Sequence, residues 1–361
     1  MFLSKRKTLI KTTAGAIAFL FVHLQIVQYP LKTALASEGV SKVAIFVFPK
    51  SSKDAQPAMM LQGLLRNQVK RIKNARCADT SPIQNLAGLS ELPSLLNEGR
   101  LKLASDNPSS AEFTFRRAAQ IAEAALGGVS RELLARIYKG LGIALIFSGD
   151  NVRGKQMINR SLNLYKNQDA LQYNYRLDVK TAFEQVAADI ESKAAGSLTI
   201  NSMPAGAEVY LADEFRGFTP VTLTNLAAGE HLVKVQKDGF YNFAKFIEVA
   251  PGASAAYEVV LTATLDKKSY DEYIAKVDKD AAKGKKSTEL ILLREVSGAT
   301  DVIALEAGFS KGAFSLKGVH LKGDEAVPVS FTLKQDATIL DSSRSFLAAT
   351  LNNEVVAEAK D

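Results

Sequence analysis

A single cysteine (Cys77), three histidines and no tryptophan occur in 361 residues. One cysteine excludes an intrachain disulfide and any cysteine-rich metal site. Only His231 and His320 lie beyond residue 36, too few for a multi-histidine centre. Charge of one sign is also scarce once the N-terminal segment is set apart. Residues 1–36 hold Lys5, Arg6, Lys7, Lys11 and Lys32 with no acid, so the rest balances 40 cations against 38 acids. Such a chain carries no electrostatic footprint for nucleic acid. Beyond the first 30 residues no apolar run approaches the roughly 20 residues that a spanning helix needs. What remains, 47% hydrophobic and 23% charged, is ordinary globular usage with room for more than one core.

The N-terminal segment reads as an export leader. Met1–Lys11 is a cationic n-region, Ala14–Val22 an apolar h-region, and Ala34 and Ala36 are the small residues before a cleavage that leaves Ser37 first. The alternative is an uncleaved anchor, but His23 and Gln25 interrupt the apolar stretch short of spanning length. Export makes the lone Cys77 read as a small buried hydrophobe, with an intermolecular disulfide as the alternative.

Lys42–Pro49 is a β-branched and aromatic run that predicts a buried strand. Met59–Ile72 predicts an amphipathic helix with Met60, Leu61, Leu64, Leu65, Val69 and Ile72 inside and Arg66, Lys70 and Arg71 outside. Together they open an α/β unit. Residues 86–195 are helical throughout, with about five helices. In Ala135–Lys166, small residues at Gly142, Gly154 and Ser161 let two antiparallel helices approach, and Leu141, Leu145, Ile158 and Leu162 fill the seam. This hairpin resembles a tetratricopeptide repeat, with Lys166 where that family usually has proline. Leu92–Glu123 fits the same register through Gly99, Ala111, Phe115 and Ala118, and an unrelated helical bundle stays open as the alternative.

Residues 196–261 switch to period two, in six or seven short runs punctuated by Gly, Pro and Asp, the pattern of a small β-sandwich. The residues Pro204-Ala-Gly206-Ala, Gly217-Phe-Thr219-Pro220, Leu226-Ala-Ala-Gly229 and Lys237-Asp-Gly239-Phe resemble the PEGA domain, with Ala205 where the name motif has Glu. That resemblance implies a short β-sandwich of the kind found on exported and surface proteins. Mechanically, Pro204 suits a turn or edge, and the glycines suit tight turns. Residues 265–361 mix signals: a charged, solvated helix at Tyr270–Ala282, strands at Leu290–Leu293, Asp301–Ala307, Phe314–Leu321 and Val327–Leu333, and a closing helix at Ile339–Ala359. The string Gly298-Ala-Thr-Asp-Val-Ile-Ala-Leu resembles, without a diagnostic site, a strand of the α/β modules in envelope proteins such as the curli secretion channel.

The expected fold class is therefore multidomain α+β: a leader (1–36), an α/β segment (37–85), a tetratricopeptide-like region (86–195), a PEGA-like sandwich (196–264) and a C-terminal α/β segment (265–361). The two α/β segments form either one domain split by the inserts or two.

Chemistry is hard to find. Gly284-Lys285-Lys286-Ser287-Thr288 fails the phosphate-loop spacing, because Lys279 stands where a glycine is needed. His231 and His320 read as strand or turn histidines with no local triad support. No catalytic, metal or cofactor site is expected. Aromatics are dense in the sandwich, and Phe215, Arg216, Phe218 and Tyr241 are the candidate partner contacts; the alternative is that such aromatics fill the core. The expected function is non-enzymatic. The helical region would hold an envelope protein, and the sandwich would face a surface polysaccharide or the cell wall. A wall hydrolase targeted by the sandwich and a periplasmic solute-binding component are the alternatives.

Overall fold

Six consecutive buried residues, Val43–Phe48, make the first strand, β1 (Ser41–Pro49), the centre of a sheet covered on both faces. The computed structural model describes residues 40–78, 80–83, 86–165 and 176–354; the leader, with Ala34, Ala36 and Ser37, lies outside them. The described residues from Ser41 onward form one compact unit.

From β1 the chain passes through α1 (Ala55–Val69) to β2 (Ala75–Cys77), a three-residue strand parallel to β1. On its other side β1 pairs in parallel with β10 (Asp301–Ser310), Val43 opposite Asp301. The meander β10–β11 (Ala313–Lys322)–β12 (Glu325–Lys334) completes a five-stranded sheet of order β12-β11-β10-β1-β2. The two α/β segments thus share one sheet. The β10–β11 turn, Lys311-Gly312, has φ of 50° and 71°, the positive values that two-residue hairpins require.

One face of the sheet (Val43, Ile45, Val47, Ile303, Leu305) packs on α1 and on α9 (Ile339–Leu351). The other (Ala44, Phe46, Val302, Ala304) packs on α7 (Lys267–Asp280) and α8 (Thr288–Val296). Three expectations need correction here. Leu290–Leu293 is not a strand but part of α8: the Ser287 hydroxyl caps the helix by accepting from Leu290 N–H, and Leu290 and Leu293 are buried with helical spacing. α7 is not merely solvated, because Tyr270 and Val277 are buried against the sheet. The closing helix stops at Leu351, where Asn352 takes a left-handed conformation (φ 53°), and residues 355–361 fall outside the described part.

Between β2 and α7 run the helices α2 (Leu92–Ala104), α3 (Pro108–Ala124), α4 (Arg131–Phe147), α5 (Asn151–Leu164) and α6 (Leu177–Ser192). Asn107, Ser130 and Asp150 cap α3, α4 and α5 by accepting from the N–H three residues on. α4 and α5 meet closely. A Cβ on Gly142 would stand 2.9 Å from the Gly154 carbonyl oxygen, and buried Ser161 donates its hydroxyl to the Ala135 carbonyl at 2.7 Å.

The strands β3 (Gly196–Met203), β4 (Glu208–Leu211), β5 (Glu214–Phe218), β6 (Val221–Leu226), β7 (Gly229–Gln236), β8 (Phe243–Val249) and β9 (Ser254–Val260) follow. They form two sheets, β6-β3-β9 and β5-β4-β7-β8. Leu198, Ile200, Val209, Val233, Val235, Val249 and Val259 form the core between them.

Candidate functional site

The short β2 leaves part of β1 without a neighbour, and α1 fills the gap. Val47 N–H donates to the Gln62 amide oxygen at 2.9 Å, and the Ile45 carbonyl accepts from Arg66 Nε and Nη2 at 3.0 and 2.8 Å. Backbone groups that a longer strand would have paired are satisfied by α1 side chains. Arg66 is therefore buried, not outside as its helix position implied. The expected amphipathic stripe holds for Leu61, Leu65 and Val69, which line the sheet core, but not for Met60, which stands 45% exposed on the far side of the helix.

The rest of the guanidinium reaches into the β5-β4-β7-β8 sheet. Nη1 donates to Glu208 at 2.9 Å, and Asp238 receives both Nη1 (3.0 Å) and Nη2 (2.8 Å). The Tyr210 hydroxyl donates to Glu208 at 2.6 Å, and Thr80 to Asp238 at 2.5 Å. Burial alone would raise the Asp238 carboxyl, but the Arg66 charge and hydrogen bonds from Arg66 and Thr80 hold it below the usual carboxylate range. Burial and the Glu208 charge push the Tyr210 phenol well up. One side chain thus ties α1 and β1 to β4 and to the turn after β7, and through Asp238 to the loop after β2.

Two further contacts fix the same sheet. Lys234, buried on β7, donates to the Val129 carbonyl at 3.0 Å and pairs with Asp213 at 2.6 Å. On α5, Arg160 grips the Glu230 carboxylate at 2.7 and 2.8 Å and lies 4.8 and 4.7 Å over the rings of Tyr138 and Phe246. Leu232 joins the core of the helical region, with Ala244 and Phe246 packed against it. The outer face of the four-stranded sheet is consequently covered by the chain itself.

Of the sequence-derived contacts one is buried, two are half-buried and one is exposed. Phe218 is a buried residue, 8% exposed, and cannot be a surface contact. Phe215 is half-buried between Phe218 (5.3 Å), Tyr210 (5.7 Å) and α1, where a Cβ on Gly63 would come within 2.5 Å of its ring. Arg216 is exposed and pairs with Glu214 at 2.9 Å, and Tyr241 is half-buried in the loop between β7 and β8. The physical reason is docking: the β4–β5 hairpin lies against α1, so its aromatics seal an internal seam. Phe215→Ala is expected to lower stability by about 1–3 kcal/mol, less than for a fully buried phenylalanine. A urea titration checks it: the midpoint should fall with the slope unchanged, and an unmoved midpoint would return Phe215 to the surface.

The motif residues of the β module serve turns and docking together. Buried Thr219 accepts from Ala207 N–H at 3.0 Å and shares a hydrogen bond with Ser202. Pro204 and Pro220 both follow cis peptide bonds, and Gly206 and Gly217 have positive φ. A Cβ on Gly229 would come within 2.5 Å of Asn159 Oδ1, and one on Gly239 would collide with Lys267. These two glycines give room for α5 and α7, a reason beyond turn geometry that only the packed structure reveals.

Residues 195–278 match the PEGA domain family. This stretch is a PEGA domain. The match runs past β9 into α7, so the family's segment ends on a helix that covers the five-stranded sheet. PEGA domains are interaction modules of extracellular and periplasmic proteins. No curated protein matches the chain. Among the described residues no helix is long and apolar enough to cross a membrane, and no group of three His, Cys, Asp or Glu side chains could hold a metal ion. His231 is buried with Nε2 2.7 Å from the Ala227 carbonyl oxygen, and buried His320 pairs with Asp301 at 2.9 Å.

Arg66, Glu208 and Asp238 were missed by sequence reasoning. Asp238 was in view inside the Lys237-Asp-Gly239 motif, but a glycine turn explained that motif without needing the acid. Cys77 is also corrected: it is exposed, because β2 is an edge strand too short to be covered.

Proposed function

We propose that this is an exported, non-enzymatic envelope protein whose PEGA domain lies against a surface or cell-wall polysaccharide while its helical region holds an envelope protein. The observation that carries this reading is the contrast between the two PEGA sheets. The four-stranded sheet has its outer face covered by α1 and the helices. The three-stranded sheet turns its outer face to solvent.

That free face is built from Thr222 and Thr224 on β6, Ser197, Thr199, Asn201 and Met203 on β3, and Ser254, Ala256, Glu258 and Val260 on β9, with Met203 and Val260 side by side at one end, 63% and 71% exposed. Hydroxyls pair across the strands, Thr199 with Thr222 and Ser197 with Ser254, each at 3.0 Å. Glu258 is its one ionisable residue, in a chain where 23% are charged. Short, mutually braced hydroxyls lose little side-chain entropy on binding and offer donors and acceptors to sugar hydroxyls, and the apolar Met203–Val260 end offers a surface for the C–H face of a sugar ring. The protein partner is assigned to the α2–α3 hairpin, where Leu101 and Phe113 stand 60% and 71% exposed on either side of one turn. The tetratricopeptide-like character of the helices supports the same role.

The double variant Thr199→Lys/Thr222→Lys tests the sheet face. Stability should change by no more than about 0.5 kcal/mol per site, as for exposed positions. Co-sedimentation of the purified protein with isolated wall or envelope material should fall at least about tenfold. Undiminished sedimentation of a folded double variant would remove the polysaccharide reading, and turnover of the wall polymer by the purified chain would replace it with a hydrolase.

A further inference from the structure

A cavity of about 440 Å³ opens beside the Arg66 tie, bounded by α1, β2, the turn at Gly127 and the outer face of the four-stranded PEGA sheet. Its volume lies in the range that holds small ligands. Among the described residues its acids are already engaged: Glu208 and Asp238 by Arg66, and Asp213 by Lys234. Lys70 and Arg76 also line it, and among the described residues no carboxylate lies within ion-pair distance of either. The side-chain oxygen of Asn242, another lining residue, is buried with no hydrogen-bond partner. Such an atom loses its hydration without compensation unless something donates to it.

We propose that this cavity binds a small organic carboxylate that also carries N–H or O–H donors, the shared chemistry of amino acids and sugar acids. The carboxylate pairs with Lys70 and Arg76, and a donor of the ligand satisfies Asn242 Oδ1. The surroundings of Lys70 agree: loss of hydration, with Arg131 and then Arg71 close by, holds its ammonium below the ordinary lysine range, against a weaker pull from Glu214 and Asp213. An arriving anion relieves that repulsion. This site is separate from the free sheet face, so either can fail without the other.

Cys77 supplies the readout, since it is the one cysteine of the chain, is exposed, and lines the cavity. Its alkylation by iodoacetamide is timed with glutamate, glycine, galacturonate or inorganic phosphate present, alongside thermal unfolding. At least one carboxylate should slow alkylation saturably, by about tenfold or more, and raise the unfolding temperature. Protection by glutamate or glycine assigns an amino acid, and protection by galacturonate a sugar acid. Lys70→Met and Asn242→Leu should each weaken protection about tenfold, whereas Lys73→Met, an exposed cation outside the cavity lining, should not. Protection by none of the three carboxylates, equal protection by phosphate, or protection unaffected by Lys70→Met would each overturn the proposal.

Discussion

Replacing Arg66 by Met is expected to destabilise the folded chain by about 3–5 kcal/mol, the cost of leaving buried charges without their counter-ion. The expectation rests on how many groups one guanidinium satisfies. Glu208, 5% exposed, and the mostly buried Asp238 both take their cation from Arg66, and the Ile45 carbonyl takes two of its N–H groups. Methionine restores none of these. Arg66→Lys should fall between, because an ammonium keeps the charge but lacks the planar fork that reaches three acceptors at once.

The pH dependence separates this cause from simple loss of packing. In the native chain Asp238 is held below the ordinary carboxylate range, so the stability it contributes is present above its unfolded value and is lost only as pH falls through the lower folded value. The tie therefore persists through mildly acidic conditions. In Arg66→Met the sign reverses. Buried carboxylates without a cation are raised above their unfolded values, take up protons on mild acidification, and become cheaper to keep inside. The stability gap between variant and native chain, read from urea midpoints, should be widest near neutrality and narrow towards pH 4. A gap independent of pH would mean that Arg66 acts only through its backbone hydrogen bonds and its packing over the Phe46 ring, 5.6 Å from the guanidinium carbon.

Phe115→Ala is the second large effect, at about 3–5 kcal/mol for a fully buried aromatic. Phe115 on α3 is 0% exposed and lies over two glycines of neighbouring helices, Gly99 on α2 and Gly140 on α4. A Cβ on Gly99 would stand 2.6 Å from the ring, and one on Gly140 would also collide with it. The ring sets the spacing of three helices. Gly140→Ala should therefore cost about 1–3 kcal/mol in the native background, by overpacking. In the Phe115→Ala background it should cost much less, because the new methyl enters the space the ring has vacated. The coupling between the two changes should reach about 1 kcal/mol or more, and strict additivity would show that they do not share one packing site.

Legibility in the sequence followed the range of the interactions. Six of the seven strands between residues 196 and 260 are visible from a period-two pattern along their own few residues, and Leu198, Ile200, Val233 and Val235 are inward as their spacing implied; β5 is not, because its apolar residues Phe215 and Phe218 are three apart. Gly142, Gly154 and Ser161 were identified as a close helix contact from position alone, since residues joined by a short turn have few ways to pack. Leu290–Leu293 was misread as a strand because four apolar residues suit a buried strand or a buried helical turn equally, and the deciding feature was the Ser287 cap. Phe215 and Phe218 differ from their expected place for another reason. An aromatic on a strand edge looks the same in sequence whether solvent or α1 lies beyond it, so Phe215 and Phe218 could not be assigned before the hairpin was placed.

Local pattern by itself determined most element types, the PEGA stretch and the helical hairpins, because hydrophobic period, caps and turn residues act within a dozen positions. Tertiary structure alone decided that β1 pairs with β10, that Arg66 points inward, and which PEGA sheet stays open. Those outcomes depend on groups 70 or more residues apart, whose fields and hydrogen bonds meet only after the chain has closed, and no periodicity along a segment encodes such a meeting.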